Sequence, residues 1–220
     1  MAHLYLVRHG QTFLNQMNRM QGITDSALTE RGQHQATTLG KNLAQIPFQA
    51  VFSSDLGRAK QTTQLIQDQL PNHLTPEYRL ELREVNFGEF DAMPIDQVWA
   101  DITTGTEMHT QNDIIKHGGM KKVRDLMVEH DHSHLAESYP AVLNRWQAFL
   151  QELQSHHFDT GDNILVVSHG TLIRTICEHY GAKVYRDDDS RAVPANGSYS
   201  RLDLAPDGTI KLAEFNVTKC

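Results

Sequence analysis

Long apolar runs are missing from this sequence. Its most hydrophobic stretches, such as residues 164–167, are far shorter than the roughly 20 residues that cross a bilayer as a helix. Residues 1–7 pass directly into an apolar pattern, without the basic region and cleavage site of a signal peptide. We therefore expect no membrane partner and a cytoplasmic location. Cys177 and Cys220 are far apart in the sequence, so we expect two reduced thiols rather than a disulfide.

Positively charged residues are also fewer than negatively charged ones. The chain has 20 Lys and Arg residues against 27 Asp and Glu residues, a formal net charge of −7. Nucleic acids and anionic membranes are bound through clustered Lys and Arg, so we expect no nucleic-acid partner. A few arginines directed at one point can still bind a phosphate on an acidic protein.

Apolar patterning predicts strands that alternate with helices. Short buried strands are predicted at residues 3–7, 49–53 and 163–167, and a hairpin turns at residues 205–208 near the end of the chain. Apolar residues at helical spacing follow each strand, and the predicted helices lie at residues 30–46, 57–70, 142–153 and 172–180. This alternation predicts an α/β fold with a mostly parallel central sheet and helices on both faces.

Residues 93–137 do not follow this alternation. They contain Gly118-Gly119, many polar residues and a His-Asp-His-Ser-His run at residues 130–134. We predict that this segment is a mostly helical cap insertion within a single domain over residues 1–220. The histidine run lacks a ligand at a known zinc spacing, so a polar segment is favoured over a metal site.

Polar residues of unusual type follow three of the predicted strands. Arg8-His9 follow the first strand, Arg58 begins the helix after the second, and His169 follows the third. The carboxyl ends of parallel strands share one edge of a sheet, where ligands bind. Helices that begin at Gly57 and Gly170 would direct N–H groups to the same place. The sequence therefore predicts a site for a small phosphorylated substrate, with an imidazole able to attack phosphorus.

The motifs around these residues appear together with others in a fixed order. They are RHGQTFLN (8–15), MQGITDSALTERG (20–32), SSDLGRAKQT (53–62), LREVNFGEF (82–90) and VVSHGTLIR (166–174). In this order and spacing they resemble the histidine phosphatase superfamily, also called the phosphoglycerate mutase-like family. The similarity extends over about three quarters of the chain.

The resemblance implies a catalytic role for five residues. His9 would be the nucleophile that becomes phosphorylated, without a metal or an organic cofactor. Arg8, Arg58 and His169 would surround the phosphoryl oxygens. Glu84 would donate a proton to the leaving group and then act as the base that activates water.

Four further residues would bind the substrate by the same resemblance. Asn15 and Gln21, in the loop after the first motif, would donate hydrogen bonds to the phosphate. Gly170 would allow the backbone to approach closely, and the N–H of Thr171 would lie near the anion.

Three functions use these residues differently. A phosphomonoester hydrolase is favoured, because Val85-Asn86 follow Glu84 where the mutases of the family have an arginine and an aromatic residue or histidine. The alternative is a bisphosphoglycerate-dependent phosphoglycerate mutase, which would share every catalytic residue. A non-catalytic phosphoprotein-binding module is disfavoured because His9 and Glu84 are both present. Phe90-Asp91-Ala92 stand where the family usually has Glu-Gly, in a region where the part of the substrate beyond the phosphate would be bound. The identity of the substrate is therefore left open among a sugar phosphate, a glycerate phosphate, a nucleotide and a phosphoprotein.

Overall fold

The computed structural model describes residues 1–156, 158–186 and 193–218. Its sheet has six strands in the order β3-β2-β4-β1-β5-β6. The strands are β1 (Ala2–Arg8), β2 (Phe48–Ser54), β3 (Glu77–Arg79), β4 (Asn163–Ser168), β5 (Tyr199–Leu204) and β6 (Ile210–Val217). The pairs β1–β4, β2–β4 and β2–β3 are parallel, whereas β5 pairs antiparallel with β1 and β6. The predicted mostly parallel sheet is confirmed, with the predicted hairpin forming its antiparallel edge.

The described residues also form helices on both sides of this sheet. They are α1 (Phe13–Gln16), α2 (Glu30–Leu43), α3 (Gly57–Gln67), α4 (Ile95–Ile102), α5 (Gln111–His130), α6 (Tyr139–Ser155) and α7 (Gly170–His179). Short 3-10 turns lie at Leu80–Leu82 and Gly88–Phe90. The Thr29 side chain caps α2 by accepting from the N–H of Gly32.

Alternate side chains of the central strands enter two different apolar cores. Tyr5 and Val7 of β1 pack with residues of α2 and α3 on one face of the sheet. Leu4 and Leu6 pack on the other face with residues of α4 to α7. Every residue of β4 is buried, which explains its apolar run at residues 164–167. Burial of one such apolar side chain contributes about 1.5–3 kcal/mol to the stability of the fold. The buried strands β1 and β4 therefore hold the residues at their carboxyl ends in fixed positions.

The segment predicted to be a cap insertion, residues 93–137, contains α4 and α5, whose buried residues belong to the same core as those of α6 and α7. A break divides α5 at Gly118-Gly119, where Gly119 has a φ of 67° that favours glycine. The helix resumes at Met120, whose N–H donates to both carboxylate oxygens of Glu178 in α7 at 3.0 and 2.9 Å. The glycine pair therefore allows the second half of α5 to begin against α7.

Two expectations from composition concern the cysteines and the membrane. Cys177 is a buried free thiol, and burial raises its pKa to about 12. Cys220 lies outside the described residues. Within the described residues, no helix is both long and apolar enough to span a bilayer.

Candidate active site

The ends of β1 and β4 place two histidines side by side. Arg8 is paired with Ser168 across the two parallel strands, and the N–H of His9 donates to the carbonyl of Ser168 at 3.0 Å. The rings of His9 and His169 then lie with their centroids 5.2 Å apart. Two residues that are far apart in the sequence therefore meet because their strands end in register.

A cavity of about 410 Å³ opens beside His9. Most of the residues predicted to form the site line it: Arg8, His9, Asn15, Gln21, Glu84, Gly170 and Thr171. Arg58 and His169 are instead buried next to it, with exposed fractions of 1% and 0%. The structure thus divides the predicted set into a group that faces the cavity and a pair that supports it.

One nitrogen of the His9 imidazole is hydrogen-bonded within the protein, and the other is free. Nδ1 lies 2.7 Å from the carbonyl oxygen of Gly10, and a carbonyl can only accept, so Nδ1 carries the proton. The lone pair of the neutral ring is then on Nε2. Burial, followed by the charges of Arg58 and Arg8, holds the pKa of His9 well below its ordinary value. His9 is therefore a neutral imidazole at physiological pH, the form that can attack phosphorus.

Arg58 and His169 form a fixed pair beneath His9. The Nε–H of Arg58 donates to Nδ1 of His169 at 3.1 Å, which leaves the proton of His169 on Nε2. Nε2 lies 2.8 Å from the hydroxyl oxygen of Ser54, which can accept it. Burial and then the charge of Arg58 hold the pKa of His169 well below its ordinary value. His169 is therefore neutral and oriented at both of its nitrogens.

Arg8 has a donor without a partner. Its Nη1 donates to the carbonyl of Pro194 at 2.6 Å, but its buried Nε–H makes no hydrogen bond. Burial, only partly opposed by Glu84, lowers the pKa of Arg8 to about 10, so it stays charged at neutral pH. An ideal Cβ on Gly170 would lie 2.9 Å from this Nε. Gly170 therefore leaves room for the Arg8 side chain, and an orphaned cationic donor marks this end of the cavity for an anion.

The carboxylate of Glu84 is bound by three backbone N–H groups. Oε2 accepts from Thr171 at 2.9 Å, and Oε1 accepts from Leu172 and Val85, each at 2.9 Å. Two of these donors belong to the first turn of α7. The N–H of Thr171, which the resemblance places near the anion, thus donates to Glu84, and the Glu84 carboxylate complements the dipole of α7.

The N-terminus of α3 is occupied in the same way. Asp25 accepts from the N–H of Gly57 at 2.5 Å and from the Nη1 of Arg58 at 3.0 Å. The sequence predicted that both helix ends face the anion, whereas each one binds a carboxylate of the protein. Sequence reasoning missed Asp25 because nothing in the local pattern links it to a helix that begins 32 residues later.

Asn15 and Gln21 lie in one hydrogen-bonded network at the rim of the cavity. The Oε1 of Gln21 accepts from the Thr12 hydroxyl at 2.6 Å and from Asn15 Nδ2 at 3.3 Å. Asn196, which the sequence analysis did not single out, donates from Nδ2 to the carbonyl of His9 and to Asn15 Oδ1, both at 3.1 Å. An Asn-Gly pair before a strand is the signal of a turn, and only the sheet order brings this turn next to His9.

Comparison with known proteins identifies the family of the chain. The family model described as "Histidine phosphatase superfamily (branch 1)" matches residues 4–218. The chain belongs to the histidine phosphatase superfamily. A relative from Erwinia tasmaniensis, named "Probable phosphoglycerate mutase GpmB", is 39% identical over 101 residues. That alignment covers 46% of this chain and 46% of the relative, so it spans about half of each protein.

Solved structures of the superfamily share the whole fold. The phosphoglycerate mutase of Bacillus anthracis has a TM-score of 0.85 and 30% identity, and the match covers 99% of this chain and 93% of that one. A mycobacterial glucosyl-3-phosphoglycerate phosphatase solved with VO3 has a TM-score of 0.70 at 23% identity, covering 97% and 98% of the two chains. The second comparison supports the fold alone.

The cavity of this superfamily member is positive although the chain is acidic. Arg8, Arg19 and Arg31 line it, and Glu84 is the one acidic residue among its described lining residues. Its lining also includes the apolar residues Ile95 and Trp99 of α4. The lining therefore combines positive charge, which suits an anionic group, with apolar side chains that suit a less polar part of a ligand.

The histidine run of residues 130–134 does not form a metal site in the described part of the chain. His132 is exposed and lies 2.9 Å from Glu89, while buried Asp131 accepts backbone N–H groups from its own turn. The acidic and histidine side chains that do lie close enough for an ion are Glu77, Glu152 and His156. Arg79 already binds both of those glutamates, so that group is an ion-pair network.

Proposed function

We propose that this protein hydrolyses phosphomonoesters through a phosphohistidine intermediate on His9. The observation that carries the proposal is the free Nε2 of a neutral His9 in a cavity that is also lined by the charged side chain of Arg8. Phosphate-monoester hydrolysis is among the slowest uncatalysed reactions, so an enzyme needs both a nucleophile and fixed positive charge. The cavity offers both within one lining.

The reaction proceeds in two displacements. Nε2 of His9 attacks phosphorus, the N–P bond forms, and the bond to the leaving oxygen breaks as Glu84, in its protonated form, gives that oxygen its proton. Water then attacks the phosphohistidine while Glu84 takes its proton, and cleavage of the N–P bond releases inorganic phosphate. Glu84 is placed for both steps because its side chain lines the cavity, where three backbone N–H groups fix its orientation.

Arginines supply the positive charge in this mechanism, so we propose that it uses no metal. Arg8 lines the cavity with an unpartnered Nε–H, and buried Arg58 adds positive charge next to it. Charge spread over the equatorial oxygens is stabilised by such donors. Activity should therefore persist in EDTA, and vanadate should inhibit. Complete loss in chelator with recovery in zinc or magnesium would reject this part of the proposal.

Acid-quench labelling tests the intermediate. Enzyme mixed with a ³²P-labelled phosphomonoester and quenched should retain phosphate that is stable in base and labile in acid. His9→Ala should abolish both labelling and turnover, whereas His34→Ala, a change on the exposed side of α2, should preserve them. Label on any other residue would reject His9 as the nucleophile.

The second candidate is a phosphoglycerate mutase. It is favoured by the names of the Erwinia tasmaniensis relative and of the Bacillus anthracis structure, which resembles this chain over nearly its whole length. The two activities differ in what accepts the phosphoryl group from His9. A hydrolase releases inorganic phosphate from 3-phosphoglycerate or another ester without a bisphosphorylated cofactor. Fast isomerisation of 3-phosphoglycerate that requires 2,3-bisphosphoglycerate would make the mutase assignment correct.

A further inference from the structure

Asp91 binds the loop that holds Arg58. It follows the 3-10 turn at Gly88–Phe90 and lies outside the set of residues that the sequence analysis assigned to the site. Its Oδ1 accepts from the N–H of Gly22 at 2.7 Å, and its Oδ2 accepts from the N–H of Thr24 at 2.7 Å. One carboxylate therefore fixes two positions of the same short loop.

The carbonyls of those two loop residues converge on the guanidinium of Arg58. Nη2 donates to Gly22 at 2.8 Å, and Nη1 donates to Thr24 at 3.1 Å. With Asp25 on Nη1 and His169 on Nε, these bonds leave Arg58 a single orientation. The Arg58 side chain is also almost fully buried, so water offers it no alternative acceptors.

We propose that Asp91 is a positioning residue for the Arg58–His169 pair. By holding Gly22 and Thr24, it places the two carbonyls that aim the Nε–H of Arg58 at Nδ1 of His169. That bond decides which nitrogen of His169 carries the proton. The role of Asp91 in turnover rests on the proposed function, whereas its effect on His169 does not.

A purely structural role for Asp91 predicts a different result. In that case its loss would lower stability and leave the His169 tautomer and the kinetics of the folded fraction unchanged. Three variants separate the two roles. Asp91→Ala removes both acceptors, Asp91→Asn keeps one, and Asp91→Glu keeps two on a longer side chain. Glu89→Gln is a matched control on the adjacent turn, because Glu89 contacts exposed His132 and not the loop.

Imidazole ¹⁵N NMR of the ligand-free protein measures the tautomer directly. Wild type and Glu89→Gln should show His169 as a single neutral form protonated at Nε2. Asp91→Ala should show a mixture of tautomers or loss of the Arg58 contact, Asp91→Asn an intermediate state, and Asp91→Glu a return toward wild type. An unchanged His169 signal in folded Asp91→Ala would overturn the proposal.

Kinetics with p-nitrophenyl phosphate complete the test. Misplacement of Arg58 should lower kcat of Asp91→Ala by about tenfold to a hundredfold, with a smaller change in KM. Thermal unfolding of each variant shows whether the protein remains folded at the assay temperature. If wild type has no phosphatase activity, the proposed function fails while the NMR result still decides the role of Asp91.

Discussion

The Nε–H of Arg58 donates to Nδ1 of His169 across 3.1 Å, and this bond places the proton of His169 on Nε2. The same guanidinium lowers the pKa values of both His9 and His169, in each case after burial as the largest cause. Arg58 lies apart from the cavity lining, yet it affects the protonation of the nucleophile and the orientation of the neighbouring ring.

Replacement of Arg58 by Gln should raise the pKa of both histidines. A nearby positive charge disfavours the imidazolium, so its removal makes protonation easier and the neutral nucleophile is lost at a higher pH. An NMR titration should show His9 uncharged at pH 6 in wild type and a higher midpoint in Arg58→Gln. Activity at neutral pH should fall on the order of 10²–10³-fold. Lys60→Gln on the exposed side of the same helix is the control, and an unshifted His9 midpoint would contradict the expectation.

Replacement of Glu84 by Gln should lower the rate by roughly 10²–10⁴-fold for an alkyl phosphate. The loss should be much smaller for p-nitrophenyl phosphate, because its leaving group needs no proton. The amide nitrogen of Gln cannot accept a hydrogen bond, so at least one of the three backbone N–H groups that donate to Glu84 loses its acceptor. This loss should lower the free energy of unfolding by about 1–3 kcal/mol. Kinetics with both esters, together with urea unfolding, separate the two effects. Equal losses for the two esters would argue against general-acid catalysis.

Replacement of Arg8 by Lys should weaken anion binding although the charge is retained. Lysine lacks the Nε–H that is buried and unpartnered in Arg8, and it cannot form the planar two-point contact with phosphate oxygens. We expect kcat/KM to fall by about 10²-fold and vanadate to bind correspondingly less tightly. Arg201→Lys on β5 provides a control with the same substitution. Vanadate inhibition that matches wild type would show that Arg8 does not touch the phosphoryl group.

Replacement of Asp131 by Asn should destabilise the fold at neutral pH by about 2–4 kcal/mol. Burial alone would raise the pKa of Asp131. The backbone N–H groups of Glu89, Ala136 and Ser133, with the Ser133 hydroxyl, outweigh burial and hold the pKa well below its usual range. A depressed folded-state pKa contributes stability above the unfolded value of about 3.9, and that stability is lost as the pH falls further. Urea unfolding should therefore show a large difference at pH 7 that shrinks below about pH 4.

Exposed Glu129 in the last turn of α5 supplies the control for this experiment. Glu129→Gln should have a free energy of unfolding within about 0.5 kcal/mol of wild type. A difference between wild type and Asp131→Asn that is the same at pH 7 and at pH 3 would contradict the assigned origin of the stability.

The sequence alone determined the parallel strands β1, β2 and β4 and the residues at their carboxyl ends. Buried parallel strands need continuous apolar sequence, so β1 and β4 are visible as runs of Val, Ile and Leu with His9 and His169 directly after them. Because the ends of these parallel strands share one edge of the sheet, they bring the two histidines together independently of how the helices pack. The motifs were enough to indicate the superfamily as well.

Only the tertiary structure decided which groups satisfy the polar atoms of the site. Periodicity shows which face of a helix or strand is buried, but it carries no information on the partner across a gap of many residues. Arg58 and His169 are 111 residues apart, and Thr171 and Glu84 are 87 apart. The sequence therefore suggested that the N-termini of α3 and α7 would face the anion, whereas Asp25 and Glu84 accept their N–H groups. Buried donors must find acceptors, and packing decides which ones are near enough.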